Sequence, residues 1–191
     1  MHPRAVAPAT LTLAATALAA VALALPAAGS AAPAYAAPGP WAEQVCAAVA
    51  GWSAAAETKA DALDRLPTPK SLAHARAIFS HFLDDIVRET DRMIVRVDLA
   101  GTPDVRSGPA IRQRLRALLV RARGLLAEAR RQAAGLSLTD PAAFGKGASE
   151  IGGAIEKQLT ALGPAFEHID SGFPSPELDR AVTGAPSCKR L

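Results

Sequence analysis

The sequence predicts an all-α protein: an antiparallel up-and-down four-helix bundle with a short C-terminal helical tail, closed by one disulfide. Three observations predict it. Apolar residues recur at spacings of three and four along most of the chain, and no segment sustains the alternation of a strand. Four long amphipathic segments are joined by short connections marked by Pro, Gly or polar residues, which favours antiparallel neighbours. The 2 cysteines lie near the two ends of the predicted bundle, at Cys46 and Cys188.

Residues 1–36 read as a signal peptide and 37–191 as the helical-bundle domain. Arg4 is followed by no charged residue until Glu43, and an Ala/Leu-rich stretch runs from Leu11 to Leu25 before Pro26. A short positive start, an apolar run and an A-x-A site are the marks of a secretory leader. Ala34-Tyr35-Ala36 supplies the site and predicts a mature start near Ala37; a site in the Gly29–Ala32 region is the alternative. The apolar run is short for a membrane span, which takes about 20 residues. The expected localisation is therefore secreted, outside the cell or at its envelope, with no membrane span after cleavage.

The first helix is predicted from Trp41 to Leu66, with Val45, Val49, Trp52, Ala56, Ala60 and Leu63 on one face. Pro67-Thr68-Pro69 stops it, because the residue before a proline avoids helical backbone. The second runs from Ser71 to Leu99, with Ser71 as its cap. Leu72, Ala75, Phe79, Phe82, Ile86 and Met93 mark its stripe. Gly101 and Pro103 end it, glycine taking the left-handed cap. After the connection GTPDVRSG, residues 101 to 108, the third helix is predicted from Pro109 to Ala134, ending at Gly135. Asp140 and Pro141 are a good cap and first residue for the fourth. Its stripe is Phe144, Ile151, Ile155, Leu159 and Leu162, and Gly163-Pro164 breaks or kinks it. The rhythm resumes at Phe166, Ile169 and Phe173. A last short helix follows Ser175-Pro176 and ends near Gly184.

Half of the chain is apolar, but much of that is alanine, and only 4% is aromatic. Alanine favours helix and buries little area, so the core is expected to be thin. Cys46 follows Glu43, Gln44 and Val45, too far past the apolar run to be a lipid anchor. A metal site wants more ligands at short spacing, and a catalytic thiol leaves the other cysteine unexplained. In an exported chain with an even count, cysteines pair; Cys46–Cys188 is the one intrachain choice. The chain-entropy model sets its contribution at up to about 5 kcal/mol.

The third helix carries seven arginines and one acid, Glu128. Arg112, Arg116, Arg123 and Arg130 fall on one edge of its apolar face, and Arg114 and Arg121 toward the other. These rows read first as stems covering a core edge with heads paired to acids on neighbours. The alternative is a face for an anion or nucleic acid. Arg4 is the one charged residue of the leader, so 20 basic and 18 acidic residues remain in the domain. That near balance makes nucleic acid a weak expectation. His81, Asp85 and Glu89 share a face of the second helix, but the spacing is loose and has no partner motif, so no metal is expected. GKGASEIGG, residues 145 to 153, lacks the order of a phosphate loop. It reads as small residues that let the fourth helix approach a neighbour. No G-x-S-x-G occurs, and His168, between Glu167 and Asp170, reads as the edge of an amphipathic turn. No catalytic residue and no cofactor are expected. Asp104 and Arg106 make GTPDVRSG a candidate recognition loop, although its residues also fit turn chemistry alone.

Trp41 with Val45-Cys46, GTPDVRSG, LTDPAAF and Pro186-Ser187-Cys188 occur in order. Together they resemble the small secreted proteins and lipoproteins of actinobacteria, a loose group without an assigned activity. The resemblance implies an exported helical domain with paired terminal cysteines, and it carries over no catalytic residue. Many of that group look lipid-anchored; this chain lacks the anchor cysteine, which implies release.

The function expected from all of this is non-enzymatic: binding of a protein or other partner at the envelope or outside the cell. Two alternatives stay open. One is a carrier of a small apolar ligand held between the helices, where Ala/Gly packing beside Phe79, Phe82, Phe144, Phe166 and Phe173 leaves room. The other is anion binding through the Arg-rich third helix.

Overall fold

A computed structural model describes residues 35–161 and 172–191, all within one compact unit, Ala32–Leu191. The described residues are mostly helical. In chain order they form β1 (Tyr35–Ala36), α1 (Pro38–Asp64), α2 (Leu72–Leu99), β2 (Thr102–Pro103), α3 (Gly108–Ala134), α4 (Pro141–Thr160) and α5 (Pro176–Gly184). A 3-10 turn, Cys188–Arg190, follows. The expected leader as far as Ala34, the expected break at Gly163-Pro164, Phe166, His168 and Ile169 lie outside the described residues.

The helix starts follow from local chemistry. Pro38 and Pro40 fall in the first turn of α1, where a missing N–H costs nothing; this sets the start three residues before the Trp41 expected. The Ser71 hydroxyl accepts from the His74 amide at 3.1 Å. Asp140 Oδ1 accepts from the amides of Ala142 and Ala143 at 2.9 and 3.1 Å. Ser175 caps α5 through the Leu178 amide. Each satisfies a donor that the first turn leaves without a partner.

The turn after α2 is fixed by two glycines. Gly101 has φ of 77°, backbone that a side chain disfavours. At Gly108 a Cβ would lie 1.9 Å from the Pro103 carbonyl oxygen, so only glycine lets α3 start so close to β2. Tyr35–Ala36 pairs in parallel with Thr102–Pro103, and the Asp104 amide donates to the Ala36 carbonyl at 2.8 Å. Sequence pattern offers no sign of this pairing, because two residues cannot display a period of two.

Contacts between helices follow a constant register. Between α1 and α2 with the turn that follows it, Trp41 meets Gly101, Trp52 meets Thr90 and Lys59 meets Asp85: numbers rise along one as they fall along the other. On α2 and α3 the pairs are Asp98 with Arg116, Asp91 with Arg123 and Asp84 with Arg130. Both partners step by seven residues, two helical turns, so the same edge returns each time. α4 packs chiefly on α3, and α5 on α1.

The core has two parts. One gathers Trp41, Val45, Met93, Val97, Ile111 and Leu115, with Leu178 from α5. The other gathers Leu83, Ala129, Ala133, Leu136 and Ile151, with Phe79, Phe82 and Phe144 against it. Cys46 and Cys188 form the disulfide, with Cα atoms 4.9 Å apart.

Candidate functional site: an apolar cleft between the helices

α1 is alanine-rich, and its second half sets Ala56 and Ala60 opposite side chains of α2, α3 and α4. Small residues there cannot fill the space to interior density. Ala56 and Ala60 line a cavity of about 320 Å³, and an adjacent one of about 410 Å³ shares Trp52, Leu126 and Leu159 with it as common walls. The larger lies among Val45, Val49, Met93, Leu115, Leu119 and Ala122, with Leu191 also lining it. The smaller lies among Ala56, Ala60, Leu83, Ile86, Phe82 and Ile155.

Polar atoms in these walls are spoken for. Trp52 Nε1 donates to Thr90 Oγ1 at 3.0 Å, and Thr90 Oγ1 donates to the Ile86 carbonyl at 2.8 Å. Thr90 is only 1% exposed, so these bonds relieve a cost that a buried hydroxyl otherwise carries. Glu57 stands at the edge of the smaller cavity and is exposed. Among the described residues a guest in the cleft therefore meets hydrocarbon and an indole face, with the Trp52 and Thr90 polar atoms already bonded.

A third, more open depression of about 480 Å³ lies between α1 and α2. Lys59 binds Asp85 there at 2.9 Å, and Arg88 holds the same carboxylate from the next turn. The Lys59 bond, with the charges of Lys59 and Arg88, keeps the Asp85 carboxyl below its usual range. Glu89 pairs with Arg92. His81 lines this depression beside Asp85, so the acids that share its helix face are held by basic neighbours.

The four arginines on the edge of α3 all meet carboxylates of α2. Arg116 lies 3.2 Å and Arg112 3.8 Å from Asp98, Arg130 lies 2.7 Å from Asp84, and Arg123 takes both oxygens of Asp91 at 3.0 and 3.2 Å. The Asp91 bond raises the Arg123 pKa further above its ordinary value. Elsewhere on α3, the exposed Glu128 is held by Arg131 and Gln132, and the Arg131 bond first, then that of Gln132, keep its carboxyl below the usual range. Asp104 and Arg106 project from the turn with exposed side chains, while the backbone from Gly101 to Asp104 is pinned by β1 and by Trp41 Nε1, which donates to the Gly101 carbonyl at 3.2 Å.

The chain ends meet at the disulfide. The Glu43 carboxylate accepts from the Ser187 amide at 3.0 Å and from the Ser187 hydroxyl, and Arg190 donates to that hydroxyl at 2.7 Å. The Ser187 hydroxyl first, then its amide, lower the Glu43 pKa, with a smaller contribution from Arg190. Ser187 is 2% exposed. Sequence reasoning noted both stretches for their cysteines and missed the carboxylate–serine contact between them. It also missed Thr90, whose signal was present: a hydroxyl four residues after Ile86 and three before Met93 falls on the apolar stripe.

Of the small residues 145 to 153, Gly147 lies nearest a neighbour: a Cβ there would lie 2.7 Å from Leu136 Cδ2, the tip of a side chain in the α3–α4 connection. Gly145, Gly152 and Gly153 face open space, so the other glycines loosen α4 rather than seat it. Among the phenylalanines expected around a cavity, Phe82 lines it, Phe79 and Phe144 pack on the second core, and Phe173 packs on the first.

No family model, no curated protein and no solved structure matches this chain.

Proposed function

We propose that this chain is an exported, non-enzymatic carrier of a small apolar ligand, held in the cleft lined by α1, α2, α3 and α4. One observation carries the proposal: adjacent cavities of about 410 and 320 Å³ that share three walls, with Trp52 and Thr90 already paired to each other and to the Ile86 carbonyl. That volume and lining suit an apolar small molecule. The opposed numbering of the contacts supports an antiparallel up-and-down four-helix bundle with α5 as its C-terminal addition, the arrangement in which such clefts form between helices. The disulfide is compatible with an oxidising compartment, and with release of a domain resembling the secreted proteins of actinobacteria.

The arginine edge of α3 reads in this proposal as a frame. Each of its four heads faces an α2 carboxylate, which lowers its value to an external anion. Partner binding through Asp104 and Arg106 has no observation in its favour beyond their exposure.

Trp52 is the natural reporter, since it walls both cavities. Titration with an environment-sensitive neutral apolar dye is expected to shift Trp52 emission in a Trp41→Phe background. Native mass spectrometry of protein recovered from its own culture medium is expected to show added mass that denaturation releases. An unliganded mass together with unchanged Trp52 emission throughout the titration overturns the proposal.

A further inference from the structure

We infer that the ligand's buried part is a single unbranched hydrocarbon chain lying lengthwise along α1, with its head group left in water. The inference rests on the carrier reading above and narrows its ligand class. Two features of the cleft support it.

The first is shape. The lining on α1 runs from Val45 to Ala60. Fifteen residues at 1.5 Å each give a length of about 22 Å. The walls on α2 follow in reverse order, from Met93 and Thr90 beside Val45–Trp52 to Leu83 and Phe82 beside Ala56–Ala60. The two cavities follow one another along α1 and share Trp52, Leu126 and Leu159 as walls. A long, narrow space of this kind suits a flexible chain better than a compact polycycle.

The second is chemistry. Trp52 and Thr90 satisfy each other and the Ile86 carbonyl. A ligand carbonyl or hydroxyl at that depth would have no partner, and leaving it unpaired opposes binding. Quinones, haem-like rings and other molecules with polar groups distributed over a compact body are disfavoured for this reason. A methylene chain has nothing to leave unpaired. Each buried CH₂ contributes about 0.8 kcal/mol, or roughly a fourfold tighter Kd.

The test is a length series of straight-chain alkanoic acids, kept below their micelle concentrations, with affinity read by displacement of the dye from the intact protein. The expected result is a Kd that tightens about fourfold per added methylene and then reaches a plateau when the cleft is full. Alcohols of equal length are expected to follow the same slope. Ala56→Phe fills part of the smaller cavity and is expected to bring the plateau to shorter chains; Ala60→Phe repeats the test one turn on. Helicity measured by circular dichroism confirms that each variant is folded. Lysophosphatidylcholine bearing the same chains separates the sources: equal binding assigns the cleft to membrane-derived amphiphiles, and exclusion assigns it to free acids or alcohols. An affinity that is flat with length, or acids bound and alcohols not, overturns the chain assignment. So does a polycyclic hydrocarbon bound as tightly as a chain of equal carbon count. In each of these cases the apolar carrier survives. If the dye itself does not bind, the carrier reading falls as well.

Discussion

At the end where α1 begins, Trp41, Ala42, Val45, Cys46 and Ala48 are all buried, and the chain is held there several times over. The disulfide, the Glu43–Ser187 bonds, the indole bond to Gly101 and the β1–β2 pairing all converge on that end. Past Ala48 no residue of α1 is buried, and α4, which joins the core farther along, buries Ile151 alone. One end is clasped and the other is not, and the space between the helices starts at the first-core residues Val45, Met93, Leu115 and Leu119. The difference teaches how an alanine-rich chain keeps an interior space: a crosslinked end fixes the directions of the helices, and small side chains beyond it leave the gap between them unfilled. The cleft begins in the walls of the first core and runs out along the second half of α1.

Replacing both cysteines by serine attacks the clasped end and has the largest expected effect. The loop closed is 142 residues, and its loss is expected to cost up to about 5 kcal/mol, read as the fall in denaturation midpoint. Hydrogen exchange is expected to rise first in α5 and the 3-10 turn, with the Leu83 core following. Equal loosening of both ends would erase the contrast.

Leu83→Ala attacks the other end. Leu83 is 1% exposed, and the truncation is expected to cost about 3 kcal/mol by chemical denaturation. Because the residue also walls the cleft, dye binding is expected to weaken together with stability, whereas the cysteine variant is expected to retain more of its binding per unit of stability lost.

Trp52→Phe removes the indole donor and leaves Thr90 bonded to Ile86 alone. A loss of about 1 kcal/mol is expected, with the Cys46–Cys188 end unchanged in exchange. At the clasp, Glu43 contributes through its charged form. Its pKa is lowered in the folded state, so its contribution is complete above the ordinary carboxylate range and disappears as pH falls through the lowered value. Glu43→Gln is expected to flatten this acid limb of the stability profile; an unaltered limb would remove Glu43 from the clasp. The smallest effect is expected from Asp91→Asn. Both Asp91 and Arg123 are 40% exposed or more, and solvent screening holds the loss below about 1 kcal/mol.

Helix limits were legible because they depend on neighbours in sequence. Ser71, Asp140 and Ser175 cap the helices they precede, and Gly101 takes the left-handed backbone expected of it. The disulfide was legible from the count of two cysteines. Glu43 and Ser187 were not, since nothing local to either residue indicates a partner 144 positions away. The pairing of Arg116, Arg123 and Arg130 with Asp98, Asp91 and Asp84 needed the register between α2 and α3. The sequence supplied two charge rows without saying which acid each row meets.

By itself, then, the sequence determined the helical class, the ends of the helices and the identity of the crosslink, all of which follow from periodicity, capping and composition. Tertiary structure alone decided the β1–β2 pairing, the Glu43–Ser187 contact and the cleft. A cavity is a property of which small faces come to lie opposite one another, and that opposition is set by helix register and packing across distant parts of the chain.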